Sequence, residues 1–113
     1  MGDRILRVVA EQLRGGTRPY DLLYRYGGEE FLLCLPGTTL DVATQVLERI
    51  RLNITKTVGS LMPAVATKVT CTFGVTEMVV GETVEEAIAR ADEALYDGKS
   101  KGRNRTAALS DKQ

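Results

Sequence analysis

The chain has 113 residues, 43% hydrophobic and 27% charged, which suits one small globular domain with a single core. Fifteen basic residues balance fifteen acidic ones, so no overall field draws the chain to DNA or to an anionic membrane. The absence of histidine excludes histidine-based catalytic triads, and no apolar run approaches the roughly twenty residues that span a bilayer.

The opening segment predicts a helix over residues 3–14, because its apolar positions recur at the spacing of one helix face. Asp3 is placed as the N-cap, where a carboxylate accepts hydrogen bonds from the first backbone amides. Gly15-Gly16 ends the helix, since glycine is favoured beyond a helix C-terminus. A break follows at residues 17–19.

A hairpin is predicted after the break. Residues 22–26 and 30–35 are short apolar and aromatic runs bounded by turn residues, which is typical of strands. Gly27-Gly28 forms the turn between them, because paired glycines adopt the positive φ angles of a tight hairpin.

The second half predicts two helices around one strand. From Thr39 the apolar residues repeat at helical spacing, and residues 56–66 are expected to form a loop. Residues 67–76 include an alternation of apolar and threonine side chains, the period of a strand. A capping box at residues 83–86 begins the last helix, and the basic tail from Ser100 is expected to fray.

This order of elements predicts an α+β architecture, an antiparallel sheet with helices packed on it. The predicted sheet looks incomplete, because nothing before the first helix contributes a strand to it. Cys34 and Cys71 each lie in an apolar strand-like run, which predicts two buried, reduced thiols. With no signal-peptide pattern at the start, we expect a cytoplasmic segment with no membrane contact of its own.

The segment that best suggests chemistry is RYGGEEF at residues 25–31. Its adjacent carboxylates, Glu29 and Glu30, repel each other, and a tight turn requires neither. The glycines let a flat or charged group approach the backbone closely. Carboxylates beside open backbone suit a hard cation such as Mg²⁺ that is shared with a substrate phosphate. On spacing alone, a solvated acidic hairpin tip explains the pattern equally well.

RYGGEEF resembles the signature of the GGDEF family, in the Glu variant associated with active members. Three further stretches resemble family motifs in the expected order: the helix start at residues 2–7, the strand motif at 70–75 and the closing helix at 91–104. In the last of these, Gly98 stands where alanine is usual.

The fold that this resemblance implies is a nucleotidyl cyclase-like palm of ferredoxin-like type. It would occupy residues 1–106, with a polar tail over 107–113. The implied setting is a bacterial protein with an upstream sensory or regulatory domain.

The activity that the resemblance implies is diguanylate cyclase, a nucleotidyltransferase that condenses two GTP into cyclic di-GMP and two pyrophosphates. Glu29 and Glu30 would be both the catalytic residues and the ligands of Mg²⁺, for which Mn²⁺ can substitute. Glycines 27 and 28 would shape the turn against the nucleotide, and the Asp3 carboxylate would accept from guanine. Lysine and arginine in the closing motif would hold the phosphates. The implied substrate-binding residues are Asp3, Gly27, Gly28, Lys99 and Arg103.

Two of these assignments have structural alternatives. Asp3 can serve as a helix cap whether or not it binds guanine. Lys99 and Arg103 lie four residues apart on one helix face, where cations also complement the helix dipole.

A second anion site is implied upstream of the signature. Arg18-Pro19-Tyr20-Asp21 matches the family's Arg-x-x-Asp inhibitory site for cyclic di-GMP, with five residues between Asp21 and Gly27. Arg49 matches an arginine that completes this site from a neighbouring domain, and Gln45 stands where some members carry another arginine. An exposed Arg–Asp ion pair beside a turn is the alternative, worth less than about 1 kcal/mol.

Family members begin with a strand and loop that would precede Gly2 and that carry a further Mg²⁺ ligand and a guanine-reading Asn. The strand lies mid-sheet, so we expect this truncated chain to expose two strand edges and to form dimers or larger assemblies. We also expect it to be weak or inactive alone. The alternatives are a non-catalytic cyclic di-GMP receptor domain and a purely structural dimerisation fragment.

Overall fold

The computed structural model describes residues 2–27, 30–64 and 69–110. Its helices and strands follow in the order α1 (Asp3–Gly15), β1 (Leu22–Arg25), β2 (Phe31–Cys34), α2 (Leu40–Leu61), β3 (Thr72–Val75), α3 (Val84–Ser100) and β4 (Arg105–Ala108). The α+β class predicted from the sequence is confirmed. No helix within the described ranges is long and apolar enough to cross a membrane.

The described strands form two separate pairs. β1 and β2 are antiparallel, in register from Leu22 opposite Cys34 to Arg25 opposite Phe31. β3 and β4 are parallel, joined through α3 as a βαβ unit. The antiparallel hairpin agrees with the sequence prediction, whereas the parallel pair was not anticipated.

The core lies on α2, whose apolar residues recur at intervals of three and four. Ile50, Ile54 and Val58 are fully buried against Val9 and Leu13 of α1. The inner face of the hairpin and Phe73 of β3 pack on the same cluster. A helix with so continuous an apolar stripe is held mainly by tertiary packing.

Two helix boundaries differ from the predictions. The N-cap of α1 is Gly2, with no side-chain cap, and Asp3 is instead the first helical residue, where its charge still faces the positive end of the helix dipole. The loop expected over residues 56–66 was wrong in its first part, because α2 continues to Leu61. Val58 extends the buried stripe by one turn from Ile54, and that burial outweighs the low helix propensity of Gly59.

The C-terminal segment was also predicted wrongly. The chain does not fray from Ser100, because β4 pairs with β3 directly after α3. Pairing with a partly buried strand stabilises this short segment although its own sequence, Arg-Thr-Ala-Ala, carries no strand periodicity. The described part of the predicted strand over 67–76 is extended and paired only at Thr72–Val75.

Both cysteines are free, and they differ in how far their side chains are buried. Cys71 is partly buried, and that burial raises the pKa of its thiol. Cys34 is exposed, so the prediction of a buried thiol was wrong for it. Successive side chains of a strand point to opposite faces, and Leu33 takes the face that packs on the core.

Candidate functional site

A groove of about 1120 Å³ separates the hairpin from the unit formed by β3 and α3. β2 and β3 both line it, and among the described strands β2 pairs only with β1 and β3 only with β4. Within the described ranges, β2 and β3 therefore each present an unpaired edge. Leu6, Val9 and Leu13 of α1 contribute apolar lining. The groove thus lies between β2 and β3, and much of its lining is apolar.

Charged side chains also line this groove. Glu30 comes from the start of the hairpin's second arm, Lys99 from the last turn of α3, and Arg103 from the turn that follows it. The structure therefore brings one predicted carboxylate and both predicted phosphate-binding cations to the same groove. Gly28 and Glu29 lie outside the described residues.

The hairpin turn folds the Glu30 side chain back over Gly27. The backbone amides of Tyr26 and Gly27 both donate to the Glu30 carbonyl oxygen, at 2.8 and 3.3 Å. A Cβ atom on residue 27 would lie 3.0 Å from Oε1 of Glu30. Glycine at this position therefore leaves the space that the carboxylate occupies.

Arg103 projects from an unusual turn. Gly102, Arg103 and Asn104 have φ angles of 113°, 63° and 49°, all in the left-handed region. The Arg103 amide donates to the Gly98 carbonyl at 3.0 Å, and the Gly102 amide donates to that of Lys99 at 3.3 Å. These bonds satisfy carbonyl groups at the end of α3 and fix the path of the backbone between Lys99 and Arg103.

Asp3 is exposed in the first turn of α1 and does not line the groove, although Leu6, one turn along the same helix, does. Asp92, which was not among the predicted site residues, also lines the groove from α3. Its spacing of seven residues from Lys99 places both on one helix face, and this was the available signal. Within the described ranges, no group of three or more acidic or cysteine side chains is arranged to hold a metal ion.

Arg18 and Asp21 form a direct pair. Arg18 donates to the Asp21 carboxylate through its backbone amide at 2.7 Å, Nε at 3.3 Å and Nη2 at 3.0 Å. The Asp21 side chain is only 2% exposed, so the pair differs from the exposed Arg–Asp ion pair that was the alternative to a binding site. These hydrogen bonds lower the pKa of Asp21, against burial, which raises it.

The Arg18 guanidinium has further contacts that its sequence motif does not indicate. Its Nη2 donates to the Pro36 carbonyl at 2.9 Å and to Thr38 Oγ1 at 2.7 Å, and its Cζ lies 4.5 Å from the centre of the Tyr20 ring. These contacts hold the Arg18 side chain in place. It is still 42% exposed, which leaves it accessible to a ligand. Arg49 is exposed on α2.

Comparisons with known proteins agree on one family. Residues 1–105 match the sequence profile of the family described as "Diguanylate cyclase, GGDEF domain". Diguanylate cyclase DgcM of Escherichia coli (strain K12) is 40% identical over 107 residues, which are 95% of this chain and 25% of DgcM. Diguanylate cyclase VdcA of Vibrio cholerae is 41% identical over 110 residues, 96% of this chain and 32% of VdcA. The chain thus spans a quarter to a third of the length of these curated relatives.

Solved structures give the same result. Diguanylate cyclase SiaD from Pseudomonas aeruginosa, solved with its activator SiaC, superposes with a TM-score of 0.82 at 43% identity, over 95% of this chain and 41% of that one. The coiled coil and GGDEF domain of DgcB from Caulobacter crescentus, solved in complex with c-di-GMP, gives a TM-score of 0.82 at 32% identity, over 95% and 57%.

Proposed function

The chain belongs to the GGDEF domain family, and on this premise we propose that its parent protein is a diguanylate cyclase, which condenses two GTP into cyclic di-GMP and two pyrophosphates. The observation that carries the proposal is the convergence of Glu30, Lys99 and Arg103 on one groove beside the glycine turn. A carboxylate and two cations that line one groove are suited to a polyphosphate with its counter-ion. A solvated hairpin tip would not require the cations.

Each residue has a role in this reaction. Lys99 and Arg103 bind the triphosphate through charge-assisted hydrogen bonds. Gly27 lets the nucleotide approach the backbone, and the exposed Asp3 accepts from the guanine edge. Two such domains face each other. Each 3′-hydroxyl oxygen bonds to the α-phosphorus of the other GTP, its proton leaves to a base, and the bond to pyrophosphate breaks in line.

A divalent cation fits the residues present. Mg²⁺, or Mn²⁺ in its place, is commonly held by one or two carboxylates together with substrate phosphates, and Glu30 is exposed in the groove that Lys99 and Arg103 share. Glu29 would be the second carboxylate. The bound ion would neutralise charge on the phosphates during the displacement.

Substitution of Glu30 tests the catalytic role. Glu30→Gln in the full-length protein should lower the rate of cyclic di-GMP synthesis by about a hundredfold or more, because it removes a charged acid at the reacting centre. Glu93→Gln, at an exposed position of α3, is the control and should retain the wild-type rate. Wild-type synthesis by Glu30→Gln would overturn the assignment.

Product inhibition at Arg18, Asp21 and Arg49 is the regulatory part of the proposal. Arg18 is fixed by three acceptor groups yet partly exposed, and an arginine fork pairs well with guanine or phosphate. Titration calorimetry with cyclic di-GMP should show binding to the wild type and a loss of at least about tenfold in affinity for Arg18→Ala. Equal affinity for both proteins would remove this site.

We further propose that the 113-residue chain alone is weak or inactive. The open groove and the two strand edges that the described residues leave unpaired support this, since a site on such elements lacks the rigid support that catalysis requires. An assay of the isolated chain with GTP and Mg²⁺ should detect little cyclic di-GMP. Robust synthesis would refute the proposal.

A non-catalytic cyclic di-GMP receptor is the second candidate. The observation that favours it is the complete Arg18–Asp21 pair, which is formed within this chain. A receptor would bind cyclic di-GMP in calorimetry, yet the full-length protein would synthesise none and Glu30→Gln would change nothing. Turnover by the full-length protein therefore decides between the two candidates.

A further inference from the structure

Arg103 and Asn104 are adjacent non-glycine residues whose backbone lies in the left-handed region, with φ angles of 63° and 49°. A Cβ atom makes this conformation unfavourable, although asparagine tolerates it better than most residues. Such strain persists only where neighbouring groups impose it, and it concentrates at functional sites. Bonds to the carbonyls of Gly98 and Lys99 hold the first part of this turn, so Asn104 is the residue that needs a hold from outside.

Arg51 of α2 supplies that hold, across 53 residues of sequence. Its Nη1 donates to Oδ1 of Asn104 at 2.5 Å. The Asn104 amide in turn donates to Thr72 Oγ1 on β3 at 3.0 Å. The strained turn is thus attached by side chain to α2 and by backbone to β3.

Glu48 fixes the direction of this arginine. It accepts from Nε of Arg51 at 2.8 Å and from Nη2 at 2.5 Å, which leaves Nη1 directed at Asn104. The Arg51 side chain is only 13% exposed, so solvent competes weakly for these bonds. Hydrogen bonding to Glu48 raises the pKa of Arg51, and the same bonds lower the pKa of Glu48, so both stay ionised.

We propose that Arg51 is a positioning residue for polyphosphate binding: it holds the turn at Gly102–Asn104 so that Arg103 stays directed into the groove. The inference rests on the proposed role of Arg103 as a phosphate ligand. It adds that α2, a helix that contributes only Ala43 and Leu47 to the lining, determines the affinity of the site.

The experiment compares binding of inorganic tripolyphosphate, by calorimetry, in variants of the full-length protein. Arg51→Ala should weaken binding about tenfold, since displacement of a contact by 1 Å can cost up to about a hundredfold. Asn104→Gly should do the same, because glycine accepts the backbone angle but removes the anchor. The double variant R51A/R103A should bind no more weakly than Arg103→Ala alone. Lys56→Ala, an exposed cation on the same helix, is the control and should bind normally.

Each outcome bears on a different statement. If Arg103→Ala weakens binding while both Arg51→Ala and Asn104→Gly bind normally, the positioning role is wrong and the proposed function stands. Additive losses in R51A/R103A would also overturn it, because they would mean that Arg51 acts independently of Arg103. Wild-type binding by Arg103→Ala would overturn the phosphate assignment and this inference with it. If Arg51→Ala does not fold, Asn104→Gly decides the question alone.

Discussion

At the scale of single residues, Gly27 and Glu30 depend on each other. We expect Gly27→Ala to displace the Glu30 carboxylate, because the added methyl would lie 3.0 Å from Oε1. Cyclic di-GMP synthesis by the full-length protein should fall about tenfold or more, because displacement of a reacting group by about 1 Å can lower a rate up to about a hundredfold. Gly15→Ala is the control, since nothing lies within 4 Å of its Cβ position. Equal activity of the two variants would contradict the prediction.

Glu82 and Arg90 form another ion pair, with side chains 6% and 13% exposed. Arg90 also donates to Thr76 Oγ1 at 2.6 Å and to the Glu77 carbonyl at 2.8 Å, while Glu82 accepts from the Val79 amide at 3.0 Å. The pair therefore holds the connection between β3 and α3 closed. Hydrogen bonding to Arg90 lowers the pKa of Glu82 from 4.5 to about 2.

The pKa of Glu82 predicts how stability depends on pH. The pKa of Glu82 is lower in the folded chain than in the unfolded chain, so the unfolded chain takes up the proton at a higher pH. The stabilisation of the fold by the Glu82–Arg90 pair is therefore fully present above pH 4.5. It should be lost as the pH falls from 4.5 towards about 2. Urea unfolding of the wild type and Glu82→Gln measures it. The free energies of unfolding should differ at pH 6 and converge near pH 2, and a constant difference would contradict the assignment.

The sequence indicated the individual site residues better than their surroundings. Lys99 and Arg103 do line one groove, but the prediction that they share a helix face was wrong, because α3 ends at Ser100 and Arg103 lies in the turn that follows. The pairing of Arg51 with Asn104 could not be predicted, since it joins residues 53 apart and needs the packed fold. The further acceptors of Arg18 were missed for the same reason, because they lie on the connection after β2.

At the scale of elements, the contact between β3 and α3 depends on Gly74. A Cβ atom there would lie 2.3 Å from the Ala91 carbonyl oxygen and the Leu95 nitrogen, which are backbone atoms of α3. Gly74→Ala should therefore destabilise the fold by about 1–3 kcal/mol or more, as overpacking does. Urea unfolding of the chain measures the loss.

Gly98 is the matched comparison. Its Cβ would lie 3.1 Å from Thr72 Cγ2 and 3.2 Å from the Ala107 Cβ, both side-chain atoms. This crowding opposes a gain of about 1 kcal/mol from replacing glycine with alanine in a helix. Gly98→Ala should therefore leave the free energy of unfolding nearly unchanged. A loss equal to that of Gly74→Ala would show that β4 cannot shift against α3.

Element boundaries were predictable where the signal is local. The capping box of Thr83 and Glu86 is formed as the sequence indicated. The continuation of α2 to Leu61 was missed because its cause is tertiary, the burial of Val58 in the core. β4 was missed because a four-residue strand depends on its neighbour, and no sequence period shows that dependence.

At the scale of the whole molecule, the sequence predicted the α+β class because helical and strand periods are clearly separated along the chain. It did not predict that the described strands form two pairs instead of one sheet. Pairing depends on which edges meet, and the groove keeps the hairpin and β3 apart. Two exposed strand edges were expected, and the pairing of the described strands leaves one edge of β2 and one edge of β3 unpaired.

The edges of β2 and β3, which no strand in the described part of the chain covers, predict self-association of the isolated chain. Unpaired strand edges recruit further strands, and the outer face of the hairpin adds exposed apolar area at Leu22 and Tyr24. Light scattering in reducing buffer, which excludes a disulfide through the exposed Cys34, should show dimers or larger species whose fraction rises with concentration.

Two variants distinguish edge pairing from general stickiness. Leu32→Lys places a charge on β2 within the groove and should shift the chain towards monomer, since edge lysines oppose pairing. Val80→Lys removes a fully exposed apolar side chain from the loop before α3 and should leave association unchanged. A monomeric wild type at high concentration would mean that the edges are covered within the chain. If Val80→Lys dissociates the assemblies as well as Leu32→Lys, the contact is apolar and does not depend on strand edges.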